Sequence, residues 1–189
     1  MLATDVRTTA GALRRLYLAR FGFAVAWAVL LVLSTTALDG TGRLGPLTGT
    51  LLVLYPLVDL AAAVVDRRST RDGRPSALLV VNMLLSLAAA IGLVVAVGTG
   101  PGDVLLVWGL WAITAGLVQL IVGLSRRALG GQWAMILSGG ISVLAGGGFL
   151  ASSGAASSVT GISGYAVLGG IFFLVSALRL RGVAGGVAR

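Results

Sequence analysis

Asp59 is the residue whose chemistry needs explaining. It lies inside Leu51 to Arg68, an apolar run broken only by Tyr55, Pro56 and Asp59 before it closes on Asp66-Arg67-Arg68. An aspartate at the middle of a bilayer helix is disfavoured by about 2.5 to 3.5 kcal/mol on insertion scales, so one that persists faces a bundle interior, a partner or water. Three other polar side chains fall at matching depth. Asp59 is seven residues before Asp66, Asn82 six after Ser76, Gln119 six before Ser125 and Ser138 six after Gln132. At about 1.5 Å per residue, all four sit about 9 to 10 Å inside one boundary, which predicts a shared polar layer. Two chemistries fit it. In one, Asn82 or Gln119 donates to Asp59 and locks the helices together, each contact contributing about 0.6 to 2 kcal/mol. In the other, Asp59 is a protonatable site that responds as the cytoplasm acidifies. Pro56 serves either, because it deprives the Leu52 carbonyl of its helical donor.

Composition removes most other chemistry. All 14 basic residues are arginine and all six acidic ones aspartate, with no lysine, glutamate, histidine or cysteine. That leaves no usual zinc ligand set, thiol nucleophile, disulfide or imidazole base, so no catalytic residue, cofactor or metal site is assigned and the chain is expected not to be an enzyme. With 57% hydrophobic and only 11% charged residues, the chain is no ordinary soluble domain. Its arginines lie in short clusters between apolar runs, a topology signal rather than a nucleic-acid surface.

Six elements must therefore carry the polar layer. Apolar runs of bilayer length cover about 20–38, 47–65, 76–97, 104–124, 132–150 and 162–180. Phe21 to Leu33 also has the length of a signal-peptide core, with Thr35 to Ala37 as its cleavage site. Residues 1–19 form a basic N-terminal segment, read either as a surface amphipathic stretch or as a topogenic tail. Thirteen of the 14 arginines fall on one side of this arrangement and only Arg43 on the other, so both termini are predicted to be cytoplasmic. The expected fold is an all-α membrane protein of six transmembrane helices forming one domain, built as three hairpins over about 20–65, 76–124 and 132–180.

The hairpins repeat. Tyr55-x3-Asp59-Leu60 aligns with Trp111-x3-Ala115-Gly116 and Tyr165-x3-Gly169-Gly170, and Asn82-x3-Ser86-x3-Ala90 aligns with Ser138-x3-Ser142-x3-Gly146. Gly109, Gly116 and Gly123 make a seven-residue stripe on the fourth run. With Gly139, Gly146, Gly169 and Gly170 they are the predicted helix-packing positions, since small residues let membrane helices approach closely.

In these features the chain resembles the HdeD-like acid-resistance membrane proteins. The likeness rests on the three hairpins, on Tyr-x-Leu-Val-Asp at Tyr55 to Asp59, on Gln132-Trp133 opening a Ser/Gly-rich helix, and on the ending Leu178-Arg179-Leu180-Arg181. Leu60 stands where that pattern would have glycine, and the last outer turn lacks the proline that Pro46 and Pro101 supply in the others. The resemblance implies a multi-pass protein of the bacterial inner membrane linked to acid or envelope stress, with no catalytic residues to transfer. A proton-coupled or ion-conducting transporter using Asp59, or a structural subunit of a membrane assembly, are the alternatives. The expected partners are the bilayer and either a second copy or another membrane protein, and not nucleic acid.

Overall fold

Hydrocarbon offers no water to the backbone, so an apolar run that enters it satisfies its own N–H and C=O groups by becoming a helix. Each of the six runs does so. The computed structural model describes residues 2–35, 44–69, 77–125, 133–155 and 158–186, and all its regular structure is helical. The elements are α1 (Leu2–Thr35), α2 (Pro46–Ser69), α3 (Ala77–Thr99), α4 (Pro101–Ser125), α5 (Trp133–Ser153) and α6 (Gly161–Gly186). All six are long and apolar enough to cross a membrane. The protein is thus a polytopic helical membrane protein. The turn containing Arg43, most of the two arginine-rich loops and Gln132 lie outside the described residues.

Two boundaries differ from the sequence expectation, each for a local reason. The turn signal Gly98 to Asp103 shrinks to Gly100, whose φ of +148° is open to glycine and strained for other residues. Pro101 then fits the first helical position, where its missing N–H costs nothing, and Asp103 lies in the first turn where a carboxylate favours the helix dipole. At the other end of the chain, α1 continues unbroken from Leu2, and the stretch of it long and apolar enough to cross a membrane includes residues before Arg20. Arg20 consequently lies within the span.

Each helix packs on its sequence neighbours, and α6 packs on α1 to close a ring of six. The α4–α5 seam is made of glycine. A Cβ on Gly109 would stand 2.8 Å from the Gly146 carbonyl oxygen, and one on Gly116 would stand 2.8 Å from that of Gly139. Gly102 extends the same stripe, at 2.5 Å from the Ser153 carbonyl. Gly170 meets Ala24 across the α6–α1 seam, 3.1 Å from a built Cβ. Gly123 is set against Ile136, whereas Gly169 has only the Tyr55 hydroxyl near it, at 3.9 Å. The α2–α3 seam has Gly49 against Val97 at the end where α2 begins and α3 stops, and an open apolar groove of about 420 Å³ there is lined by Pro46, Gly49, Val53, Leu57, Val94 and Val97.

The surface is as apolar as the core. Leu33, Leu57, Ile91, Ile121, Leu144 and Ile171, one from each helix, are exposed. In a bilayer these side chains face acyl chains, so the interior is distinguished by packing and hydrogen bonding and not by apolarity. Its centre is aromatic. Tyr55 is within 4.7 Å of Trp27, 5.6 Å of Phe23, 5.5 Å of Trp108 and 6.1 Å of Trp111, measured between ring centroids. Trp27 and Trp108 stack at 5.7 Å, both almost wholly buried.

Trp27 also ties α1 to α2 by donating its indole N–H to the Leu51 carbonyl at 2.6 Å. That bond engages the carbonyl next to Leu52, the group that Pro56 frees. Trp27→Phe is expected to lower unfolding stability by about 1 to 2 kcal/mol, the sum of a lost interhelical hydrogen bond and a smaller ring. Its check is the midpoint of reversible unfolding in mixed micelles, where an unchanged midpoint would mean that this bond contributes nothing.

Candidate functional site

The site grows from Asp59, one helical turn beyond Tyr55 on the same face of α2. One carboxylate oxygen, Oδ1, forms an ion pair with the guanidinium of Arg20 on α1. The other, Oδ2, accepts from Asn82 Nδ2 at 3.3 Å and from Ser86 Oγ at 3.0 Å, both on α3. Asn82 and Ser86 are four residues apart, which is why one helix face presents both. Trp111 on α4 adds a second layer by donating its indole N–H to Ser86 Oγ at 3.3 Å. Three donors converge on Asp59, an arrangement that suits an ionised, acceptor-only carboxylate.

Arg20 reaches a third helix. Its guanidinium carbon lies 4.1 Å from the centroid of the Phe173 ring on α6, and Phe173 is stacked on Tyr17 at 6.1 Å. The ring quadrupole favours the cation there, so this one side chain links the first, second and last helices of the closed ring. The side chains of Arg20 and Asp59 retain 22% and 16% of their accessible surface, so the pair is screened from solvent without being sealed. Ser86 is completely buried, and the aromatic layer of Tyr55, Trp27, Trp108 and Trp111 covers the pair from the middle of the bundle.

The four polar positions at common depth are placed as follows. Asp59 and Asn82 are hydrogen-bonded to each other. Gln119 and Ser138 are half-buried on α4 and α5, and neither is among the partners of Asp59. Common depth does not fix rotation about a helix axis. Gln119 is eight residues beyond Trp111, so it lies about 12 Å farther along α4 and about 80° around it. On the third hairpin, the hydroxyl of Tyr165 donates to Ser142 Oγ at 3.1 Å.

Arg20 and Ser86 are partners of Asp59 that the sequence reading does not assign to it, and Trp111 joins the site through Ser86. A signal for Arg20 does exist. Leu16, Tyr17, Leu18 and Ala19 extend the first apolar run on its N-terminal side, which makes Arg20 an intramembrane cation in a chain with an intramembrane anion. Among the described residues, no group of three histidine, cysteine or acidic side chains is placed to hold a metal ion.

Fold and site together define a class: a multi-pass helical membrane protein with a charge pair set inside its bundle. Comparison with protein-family models, with curated proteins and with solved structures finds no match for this chain.

Proposed function

We propose that this chain is a non-catalytic multi-pass protein of the bacterial inner membrane in which the layer around Asp59 is a structural lock. In keeping with its resemblance to the HdeD-like proteins, we assign it a part in acid or envelope stress tolerance. The observation that carries the lock is the complete set of donors on one carboxylate: Arg20 from α1, and Asn82 and Ser86 from α3. A carrier would need that carboxylate to exchange its partners for a substrate or a water path. Here the groups around it are packed aromatic rings and a buried serine.

The same reading takes the six helices as three repeated hairpins with both termini cytoplasmic. Trp111 donating to Ser86 and Tyr165 donating to Ser142 are matching bonds at positions aligned in the second and third hairpins. The excess of arginine on one side supports the orientation.

Proton flux discriminates the lock from the transporter. In vesicles carrying a pH dye inside, the reconstituted protein is expected to dissipate an imposed pH gradient no faster than protein-free vesicles. A faster decay that Asp59→Asn abolishes would overturn the lock and establish a proton path through Asp59. The stress role is tested separately, by survival at low external pH of cells with and without the protein. Equal survival would remove it.

A further inference from the structure

In each hairpin the aromatic of the second helix is followed, one turn later, by a side chain that fills far less space: Tyr55 by Asp59, Trp111 by Ala115 and Tyr165 by Gly169. A spacing of four keeps both members on nearly one helix face, so α2, α4 and α6 each present a wide ring and then a short side chain. The helices pack on their neighbours around a closed ring, so only side chains can fill its centre. The centre is therefore filled at the level of the aromatics and loses volume one turn beyond them.

Burial follows that loss. Leu52, Leu93 and Trp108 are completely buried and Trp111 nearly so. One turn on, every helix of the ring has a residue that keeps accessible surface. Arg20 on α1 retains 22% and Asp59 on α2 16%, while Asn82, Ala115, Ser138 and Gly169, on α3 to α6 in order, are half-buried. Tyr55 shows that this surface faces inward. Its ring touches Phe23 and Trp27 of α1 and Trp108 and Trp111 of α4, and its hydroxyl is the one group near a Cβ built on Gly169 of α6. Tyr55 thus crosses the middle of the bundle and is still only half-buried. Farther along α2, Ala62 and Ala63 are buried, so the way in from that end lies beside Arg20, Gln119 and Ser138, all of which keep accessible surface.

We infer that the ring encloses a hydrated chamber, open to water and small hydrophilic solutes from the end where α2, α4 and α6 stop and closed at its floor by Tyr55, Trp108 and Trp111. Its walls carry an ion pair, an amide and hydroxyls, and a space with several polar partners holds water where an apolar one stays dry. Tyr55 is eleven residues from Asp66, so the chamber reaches about 16 Å inward, close to half of a ~30 Å hydrocarbon core. The Arg20–Asp59 pair then meets the aqueous phase on one side only, and the aromatic floor keeps the chamber from becoming a path across the bundle. The inference needs the six helices to span the membrane and does not depend on the lock or on which side is cytoplasmic.

The chain has no cysteine, so single thiols report on the chamber without background. Gly169→Cys and Ser138→Cys place a thiol on two of its walls. Leu168→Cys and Leu137→Cys, at their exposed neighbours, face lipid at the same depth, and Ala166→Cys lies where burial is complete. Each full-length variant is reconstituted in vesicles and treated from either side with a membrane-impermeant quaternary-ammonium methanethiosulfonate, and modification is scored after denaturation. Ser69→Cys, at the end of α2, marks the side from which the chamber opens. The thiolate is the reacting form and arises where water reaches, so both chamber thiols are expected to react at least about ten-fold faster than the three controls, and only from the Ser69 side. Ser138→Cys exchanges one oxygen for sulfur, which keeps the inference testable even if Gly169→Cys does not fold. Chamber thiols that react no faster than their lipid-facing neighbours, or equally from both sides, would overturn it, as would an Ala166→Cys that reacts as they do. Absence of coupling between Arg20 and Asp59 in unfolding would remove the lock and leave this labelling unchanged, so the two readings fail separately.

Discussion

Arg20→Gln is expected to cost about 3 kcal/mol of unfolding stability, the largest effect of any single charge change in this protein. Removing one partner of a desolvated ion pair leaves the other charge uncompensated, and such losses run to about 3 to 5 kcal/mol. The lower end applies because both side chains keep part of their accessible surface. Asp59→Asn is expected to cost less than Arg20→Gln. Asparagine still offers an oxygen to Ser86, and the released arginine lies over Phe173, near enough to the bundle end to find water. Replacing both partners with apolar residues, as in Arg20→Met with Asp59→Leu, is expected to recover most of the loss, since two well-packed apolar side chains can match a desolvated pair. Unfolding midpoints in mixed micelles of the natural protein, Arg20→Met, Asp59→Leu and the double variant form a double-mutant cycle. A coupling energy below about 0.5 kcal/mol would show that the two residues do not act as a pair, and the lock would then have to rest on Asn82 and Ser86 alone.

Gly116→Leu is expected to separate α4 from α5 and to cost about 1 to 3 kcal/mol or more, because the contact it violates is with backbone, which cannot rotate aside. A Cβ at that position would be 2.8 Å from the Gly139 carbonyl oxygen, 2.8 Å from Ser142 Cβ and 3.1 Å from the Val143 nitrogen. Gly116→Ala already violates all three. The matched controls are Gly140→Ala and Gly147→Ala on α5, where a Cβ meets nothing within 4 Å. There, alanine is expected to be neutral or to add up to about 1 kcal/mol through helix propensity. All three substituted glycines lie in helices, so only the facing surface separates the two outcomes. If all four substitutions moved the unfolding midpoint alike, the close α4–α5 seam would be excluded.

The glycine stripe shows how far a pattern can be read. A seven-residue spacing at Gly109, Gly116 and Gly123 announces a packing face, because every seventh residue returns to nearly the same side of a helix. It does not name the neighbour. The partners lie on α5, in an antiparallel register that pairs Gly109 with Gly146 and Gly116 with Gly139, and Gly102 belongs to the stripe although it falls in a stretch that reads as a turn. Gly169, by contrast, shares the small-residue character without a close approach.

The polar layer divides in the same way. Depth along each span is legible from counting, since rise per residue is constant, and counting places Asp59 and Asn82 at one level. Rotation about the axis is not legible from depth. It brings Ser86 and Trp111 toward Asp59 and leaves Gln119 and Ser138 out of its contacts. Arg20 was obscured by its own charge, because an arginine at the edge of an apolar run reads as an orientation signal until the residues before it are found to continue the span.

By itself, the sequence determined that this protein is a bundle of six membrane-length helices, that one carboxylate lies inside it, and that histidine, cysteine and glutamate chemistry is absent. Those properties depend on residue type and on distance along the chain, which hydrophobic length and helical rise express directly. Only the tertiary structure decided that α6 returns to α1 and that Arg20 meets Asp59 with Asn82 and Ser86 on its other oxygen. The reason is the solvent. In a bilayer the lipid-facing side of a helix is as apolar as its buried side, so periodicity cannot mark which face turns inward, and partners are chosen by close packing and by the few polar groups that must find one another.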